Sequence, residues 1–210
     1  APLQKILVIK LAVNNTLGID TSNYTTSAAL FRDGAIKQEK MLLPVKEGEL
    51  GLRQSDAVFH HVQQLPVILE TLLSEKQPIE AVGASSRPRD LEGSYMPCFT
   101  VGLGTAKAVS KALGVPMRTF SHQAGHIAAA LYSAGKLSLI HQKFIAFHVS
   151  GGTTEAVLVT PDEQSVFHTE LLARSLDLKG GQAVDRVGAM LGLSFPAGRE
   201  LERLAQETEI

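Results

Sequence analysis

Three groups of residues have the types and spacing for chemistry. His122 and His126 lie four apart in Ser121-His-Gln-Ala-Gly-His126, so on a helix both rings share one face within reach of one metal ion. The intervening residues do not make the HExxH pattern, so the general base of a metalloprotease is missing. Two histidines are half a metal site, and an ordinary helix surface shows the same spacing. The second group is Ser150-Gly-Gly-Thr-Thr154, set between two apolar stretches. Its glycines let backbone N–H groups converge with no Cβ in the way, which suits an anion; they also suit a plain tight hairpin. No helix follows at once and no GxxxxGK[ST] pattern is present, which excludes a Walker loop and a dinucleotide fingerprint. The turn Asp20-Thr-Ser-Asn-Tyr-Thr-Thr26 carries similar hydroxyls, Ser22 among them, and two such turns could clasp nucleotide phosphates. Asp20 could hold a metal-bound water there, or cap its own backbone. The third group is Asp185, early in a helix beside Gly180-Gly181, where it suits the helix dipole and could accept bonds from a ribose. His60-His61 point apart on a helix and read as surface or packing residues.

Elements that position these groups follow from the punctuation. Leu17–Ile19, Ser27–Phe31 and Ala35–Leu43 read as strands, the last two joined by the hairpin signal Asp33-Gly34. Residues 44–54 read as a loop. Ser55 or Asp56 is expected to cap a helix to about Glu75, with Val58, Val62, Leu65, Ile68 and Leu72 facing the core and Pro66 kinking it. Ala81–Ala84 reads as a strand, 85–98 as a polar loop and Thr105–Leu113 as a helix stopped by Gly114 and Pro116. Met117–Phe120 is a strand, and Ser121 caps a helix to about Ser133 with Ile127 and Leu131 buried. Then come strands Phe144–Val149, Ala156–Thr160 and, after a turn at Pro161-Asp162, Ser165–Leu172. Helices over Gln182–Leu191 and Arg199–Gln206 follow.

Laying Ile19–Leu30 on Phe147–Leu158, at an offset of 128, gives five identities in twelve positions: Ser22 with Ser150, Thr25 with Thr153, Thr26 with Thr154, Ala28 with Ala156 and Leu30 with Leu158. Each copy lies between strands and leads to another turn, strand and helix. A duplicated lobe is the expectation.

Composition limits the rest. The 210 residues, 44% hydrophobic and 20% charged, suit a folded chain with a real core. A net charge of −1 excludes a binder driven by bulk positive charge, and 5% aromatics without Trp argue against a stacking platform for single strands. The single Cys98 excludes a disulfide framework and any CxxC site. No apolar run is long enough to cross a bilayer, and a cytoplasmic, non-membrane protein is expected. Residues 1–16 lack a signal-peptide pattern and read as a leader or cloning-derived segment.

The ordered set Leu-Gly-Ile-Asp-Thr-Ser at 17–22, Gly102-Leu-Gly-Thr-Ala-Lys107, Ser121-His-Gln-Ala-Gly-His126, Val-Ser-Gly-Gly at 149–152, Ala-Val-Asp-Arg at 183–186 and Pro196-Ala-Gly198 resembles the tRNA threonylcarbamoyladenosine transferase family (TsaD type, formerly glycoprotease or O-sialoglycoprotein endopeptidase). The resemblance runs from Leu17 to about Ala205. It implies an α/β fold of the actin/hexokinase/Hsp70 kind, with two duplicated lobes around a nucleotide: 17–140 as the first and 143–210 as an incomplete second. It implies a metal-assisted transfer of threonylcarbamoyl from the adenylate to N6 of the adenosine beside the tRNA anticodon. His122 and His126 would hold one iron or zinc ion. His148, Val149, Ser150, Gly151 and Gly152 would hold the threonylcarbamoyl-adenylate or ATP, with Asp185 and Gly198 completing that pocket and Asp20 and Ser22 as further candidates. Expected partners are tRNA and either a dimerising paralogue with an ATPase, or a second copy of the chain.

Several positions depart from the family's pattern. Thr153 stands where it has His, Gln182 where it has Glu, and Arg87-Pro88-Arg89 where it has a glycine-rich turn. The chain ends at Ile210, before the family's C-terminal Asn and metal-binding Asp, so the metal site is expected to be incomplete. A non-catalytic, nucleotide-binding paralogue is the alternative of another class; a glycoprotease-type peptidase and a kinase of the same fold are further ones.

Overall fold

A computed structural model describes residues 15–22, 24–45, 52–75, 78–162 and 165–207. Most of the leading segment lies outside them, but Asn15 and Thr16 already belong to strand β1 (Asn15–Asp20). β2 (Thr25–Arg32) pairs antiparallel with β1, and β3 (Ala35–Leu42) with β2. Asp33 and Gly34 join β2 to β3 with φ of 48° and 84°, the left-handed pair that a two-residue hairpin requires. Helix α1 (Gln54–Leu72), β4 (Ala81–Arg87), α2 (Phe99–Leu113), β5 (Met117–Ser121) and α3 (His122–Ser133) follow. The sheet order is β3-β2-β1-β4-β5, with β1, β4 and β5 parallel.

Alternation along β1 and β2 turns Leu17, Ile19, Ala28 and Leu30 to one face, where they join Val82 and Ala84 of β4 in a buried cluster with Leu65, Ile68 and Leu72 of α1 and Ala106 of α2. The inward stripe of α1 is Ala57, His61, Leu65, Ile68 and Leu72. Val62, expected inside, is 54% exposed, and His61 takes the buried place instead. The helix starts after Arg53 without a side-chain cap and continues through Pro66. His61 is fully buried, with Nδ1 2.7 Å from Thr26 Oγ1. Thr26 donates its hydroxyl proton to Gln64 Oε1, so it accepts from His61 Nδ1–H, leaving His61 Nε2 buried without a hydrogen-bond partner. Burial pushes the His61 imidazole down to about 4; the nearby Asp20 charge opposes this and His60 adds to it.

Helix α2 begins six residues before the sequence suggests. The Thr21 hydroxyl explains its start: it donates to Cys98 O at 2.9 Å and accepts from Gly102 N at 3.0 Å. A donor in the helix's first turn that lacks a helical partner is thereby satisfied from the end of β1. A Cβ on Gly102 would stand 2.9 Å from the same oxygen, so glycine permits the approach.

A 3-10 turn, Leu137–His141, leads to β6 (Phe144–Val149), β7 (Thr154–Asp162), β8 (Val166–Arg174), α4 (Gly180–Met190) and α5 (Gly198–Gln206). The second sheet has the order β6-β7-β8. β7 does not turn at Pro161 but runs on to Asp162, and on its β6 side the pairing has already ended at Phe144↔Val159. The pairs Leu17↔Leu30, Gly18↔Ala29, Ile19↔Ala28 and Asp20↔Ser27 recur 128 positions later as Ile145↔Leu158, Ala146↔Val157, Phe147↔Ala156 and His148↔Glu155. The duplication is therefore structural, down to the register. A mixed sheet of order 3-2-1-4-5 whose first hairpin is repeated is the duplicated-lobe architecture of the actin/hexokinase/Hsp70 fold. By contacts the chain divides into Ala1–Leu137 with Asp162–His168, and Ser138–Pro161 with Thr169–Ile210. No helix among the described residues is long and apolar enough to cross a membrane.

Candidate functional site

In the first unit, chemistry gathers at the carboxyl ends of the parallel strands β1, β4 and β5, where open α/β sheets place ligand-binding groups. β1 delivers Asp20, β4 delivers Ser85, and β5 runs straight into α3, whose second turn carries His126. Ser121 caps α3 by accepting from Ala124 N at 3.1 Å, and Ile127 and Leu131 anchor the buried side as expected. His122 and His126 then share a face, with Nε2 to Nε2 at 2.8 Å. Asp20 Oδ1 accepts from Ser22 N at 2.8 Å, and Oδ2 accepts from Ser85 Oγ and lies 2.8 Å from His122 Nδ1. Burial raises the Asp20 carboxyl, but the His122 hydrogen bond and charge, with Ser22 and Ser85, outweigh it and hold the group well below the usual carboxylate range. The ring edge of Phe99 confines His122 at a centroid distance of 6.2 Å.

This arrangement fits a divalent metal in part. A metal–nitrogen length of about 2.0–2.1 Å sets two imidazole donors roughly 2.9–3.4 Å apart, so the observed pair needs to part by only a few tenths of an ångström. Each Nε2 lies within hydrogen-bond distance of the other. Among the described residues no third His, Cys, Asp or Glu completes a metal-holding group. The histidines border a cavity of about 780 Å³, also lined by Asp20, Ser22, Ser85 and Arg118, where Gly125 leaves open space.

The second unit holds the glycine turn. Ser150 N donates to Thr153 O at 2.7 Å, and Ser150 Oγ accepts from Gly152 N and Thr153 N at 3.3 and 3.0 Å. The start of α4 rests against it: Gly181 N donates to Ser150 O at 3.0 Å and Gly180 N to Thr154 Oγ1 at 2.7 Å. A Cβ on Gly181 would lie 2.5 Å from Gly151 N, so only glycine allows this contact, while Gly151 and Gly152 face open space. These bonds engage the backbone donors of Ser150, Gly152, Thr153, Gly180 and Gly181 and lock the turn against the helix start. Gln182 Oε1 accepts from Lys179 N at 3.1 Å, so it serves the helix start, a bond a carboxylate could equally accept. Asp185 Oδ1 accepts from Ala197 N at 3.0 Å, which brings it beside Gly198 at the start of α5. His148 is half-buried at the end of β6 opposite Glu155, and Val149 is exposed. The sequence residues thus form two groups, one in each unit. Ser85 and the packing role of Gly180-Gly181 escaped sequence reasoning, although two glycines opening a helix were a readable sign of close approach.

The pattern of the tRNA N6-adenosine threonylcarbamoyltransferase family (TsaD) matches residues 46–210. Among curated relatives, the tRNA N6-adenosine threonylcarbamoyltransferase of Bacillus licheniformis is 32% identical over 92% of this chain and 55% of its own length. That of Thermus thermophilus is 34% identical over 92% of this chain and 57% of its own. The chain thus spans about half the length of the curated relatives it matches. Among solved structures, YeaZ from Pseudomonas aeruginosa aligns with 77% of this chain and 66% of its own, at 17% identity and a TM-score of 0.47, too loosely to bear on function.

Proposed function

The chain belongs to the tRNA N6-adenosine threonylcarbamoyltransferase family, and from that membership we propose that it forms part of an enzyme that transfers threonylcarbamoyl from its adenylate to N6 of the adenosine beside the tRNA anticodon. The observation that carries this reading is the convergence of His122 and His126 through Nε2, 2.8 Å apart, in a segment the family pattern covers. These two residues would hold an iron or zinc ion, which when bound supplies Lewis-acid polarisation of the carbonyl being transferred. The turn at Ser150–Gly152 and the start of α4 would seat the adenylate phosphate, with His148 and Val149 leading into the turn and Asp185 and Gly198 closing its far side. N6 attacks the carbamoyl carbon, the bond from that carbon to the phosphate oxygen breaks, AMP leaves with the electron pair, and N6 gives up a proton. The protein's work is therefore to orient and to hold charge, and no side chain forms a covalent intermediate.

The paired histidines favour the transferase over a non-catalytic paralogue. The same reading implies a cytoplasmic setting, tRNA and threonylcarbamoyl-adenylate as substrates, and either a dimerising paralogue with an ATPase or a homodimer. In the full-length protein, Gly151→Val combined with Gly152→Val fills the open side of the turn. Calorimetric titration with a non-hydrolysable adenylate analogue is expected to show affinity lower by about tenfold or more. Unchanged affinity overturns the assignment of the turn.

A further inference from the structure

We infer that Asp20 is a positioning residue that fixes His122 as the Nδ1–H tautomer, so that His122 Nε2 presents a lone pair to the point it shares with His126. The inference deepens the reading of the two histidines as metal ligands and rests on it for its purpose, though not for its geometry. Asp20 Oδ1 is committed to the backbone N–H of Ser22 at 2.8 Å, a donor that cannot reverse its direction. Oδ2 faces the Ser85 hydroxyl and His122 Nδ1, the latter at 2.8 Å. An ionised carboxylate only accepts, so the proton between Asp20 and the ring belongs to Nδ1. Ser85 comes from β4 and Asp20 from β1, which pair in parallel beside each other up to Ile19↔Ala84, so the orienting group stands on two hydrogen-bonded strands rather than on a loop. The edge of Phe99 limits rotation of the ring. Carboxylate support behind a ligating histidine sets its tautomer and raises its basicity, and its loss commonly weakens metal binding 10–100-fold.

The test is Asp20→Asn, which keeps the shape and reverses one end of the group. Ser22 N–H holds the amide oxygen on its own side, so the amide nitrogen must face His122 Nδ1 and donate to it. The ring proton then moves to Nε2, where it blocks the lone pair. Two-bond ¹H–¹⁵N correlation spectra of the metal-free chain read this directly. The unaltered protein is expected to show His122 as Nδ1–H and Asp20→Asn to show it as Nε2–H. Calorimetric titration with Zn²⁺ is expected to give affinity about 10–100-fold weaker in the variant. An Nε2–H tautomer in the unaltered chain overturns the inference whether or not Asp20→Asn folds, and so does unchanged Zn²⁺ affinity in a folded Asp20→Asn. If the unaltered chain shows Nδ1–H but takes up no Zn²⁺, the orienting role of Asp20 stands and the metal reading of the histidine pair falls.

Discussion

Acidification should destabilise the first unit before any carboxylate of the site is protonated, and His61 sets the amount. Its ring is fully buried, its Nδ1–H is given to Thr26, and its Nε2 has no partner, so a proton added there finds neither water nor an acceptor. Its pKa falls from 6.5 to about 4 on folding. Above pH 6.5 the ring is neutral in both states and contributes nothing to pH dependence. Between 6.5 and 4 the unfolded chain binds a proton that the folded chain refuses, so stability drops as pH falls. Integrated from pH 7 to pH 5, the two values give a loss of about 2 kcal/mol, rising to roughly 3 kcal/mol by pH 4. Asp20, whose folded pKa is depressed, adds its own loss only below the ordinary carboxylate range, so the two windows separate. Urea unfolding followed by circular dichroism at pH 7 and pH 5 measures the difference. His61→Asn retains an N–H for Thr26 and cannot titrate, so it provides the baseline. The reasoning fails if His61→Asn, less stable at pH 7, loses as much stability on acidification as the unaltered chain.

Two glycines should respond in opposite directions to the same change. Gly181→Ala drives a methyl group into the backbone of Gly151 and is expected to cost about 1–3 kcal/mol, seen as a lower Tm for the second unit. Gly125→Ala meets no atom within 4 Å inside a helix and is expected to gain up to about 1 kcal/mol. Thr21→Val keeps the shape of a buried side chain but takes the acceptor from Gly102 N and leaves Cys98 O with only its long bond from Val101 N, and a loss of about 1–3 kcal/mol is expected in thermal unfolding, with amide exchange accelerated at the start of α2.

What sequence could disclose depended on whether the cause was local. The Asp33-Gly34 hairpin and the Ser121 cap of α3 are written within a few residues of the structure they make, and both were legible. The repeat at an offset of 128 was legible because duplicated hairpins keep their pairing. The start of α2 was hidden because Phe99–Gly104, with two glycines, carries no helix-start signal of its own until Thr21, about 80 residues earlier, supplies the missing partner. β4 runs on to Arg87 because its pairing with β5 continues through Ser85↔Phe120 and Arg87↔Ser121, whereas its polar residues break the apolar pattern by which a strand is recognised. His61 replaced Val62 in the core because periodicity counts histidine as polar, whereas here its donor is satisfied by a threonine on the neighbouring strand. In the site, the His122–His126 spacing was plain, but its carboxylate lies 102 residues away and no spacing rule connects them.

The two copies of the repeated hairpin bury opposite faces. Leu17 and Ile19 are sealed by helices, whereas their counterparts Ile145 and Phe147 are 54% and 76% exposed, with Val149 beside them. In β7 the sealed residues are Val157 and Val159, whose counterparts in β2 are Ala29 and Phe31. A strand that is oily on its uncovered side attracts its own kind, so handling the isolated 210-residue chain becomes a matter of colloid chemistry. Light scattering from it should climb with concentration and with kosmotropic salt, and charged replacements at Ile145 and Phe147 should flatten that rise while the mirrored positions 17 and 19 tolerate no such change.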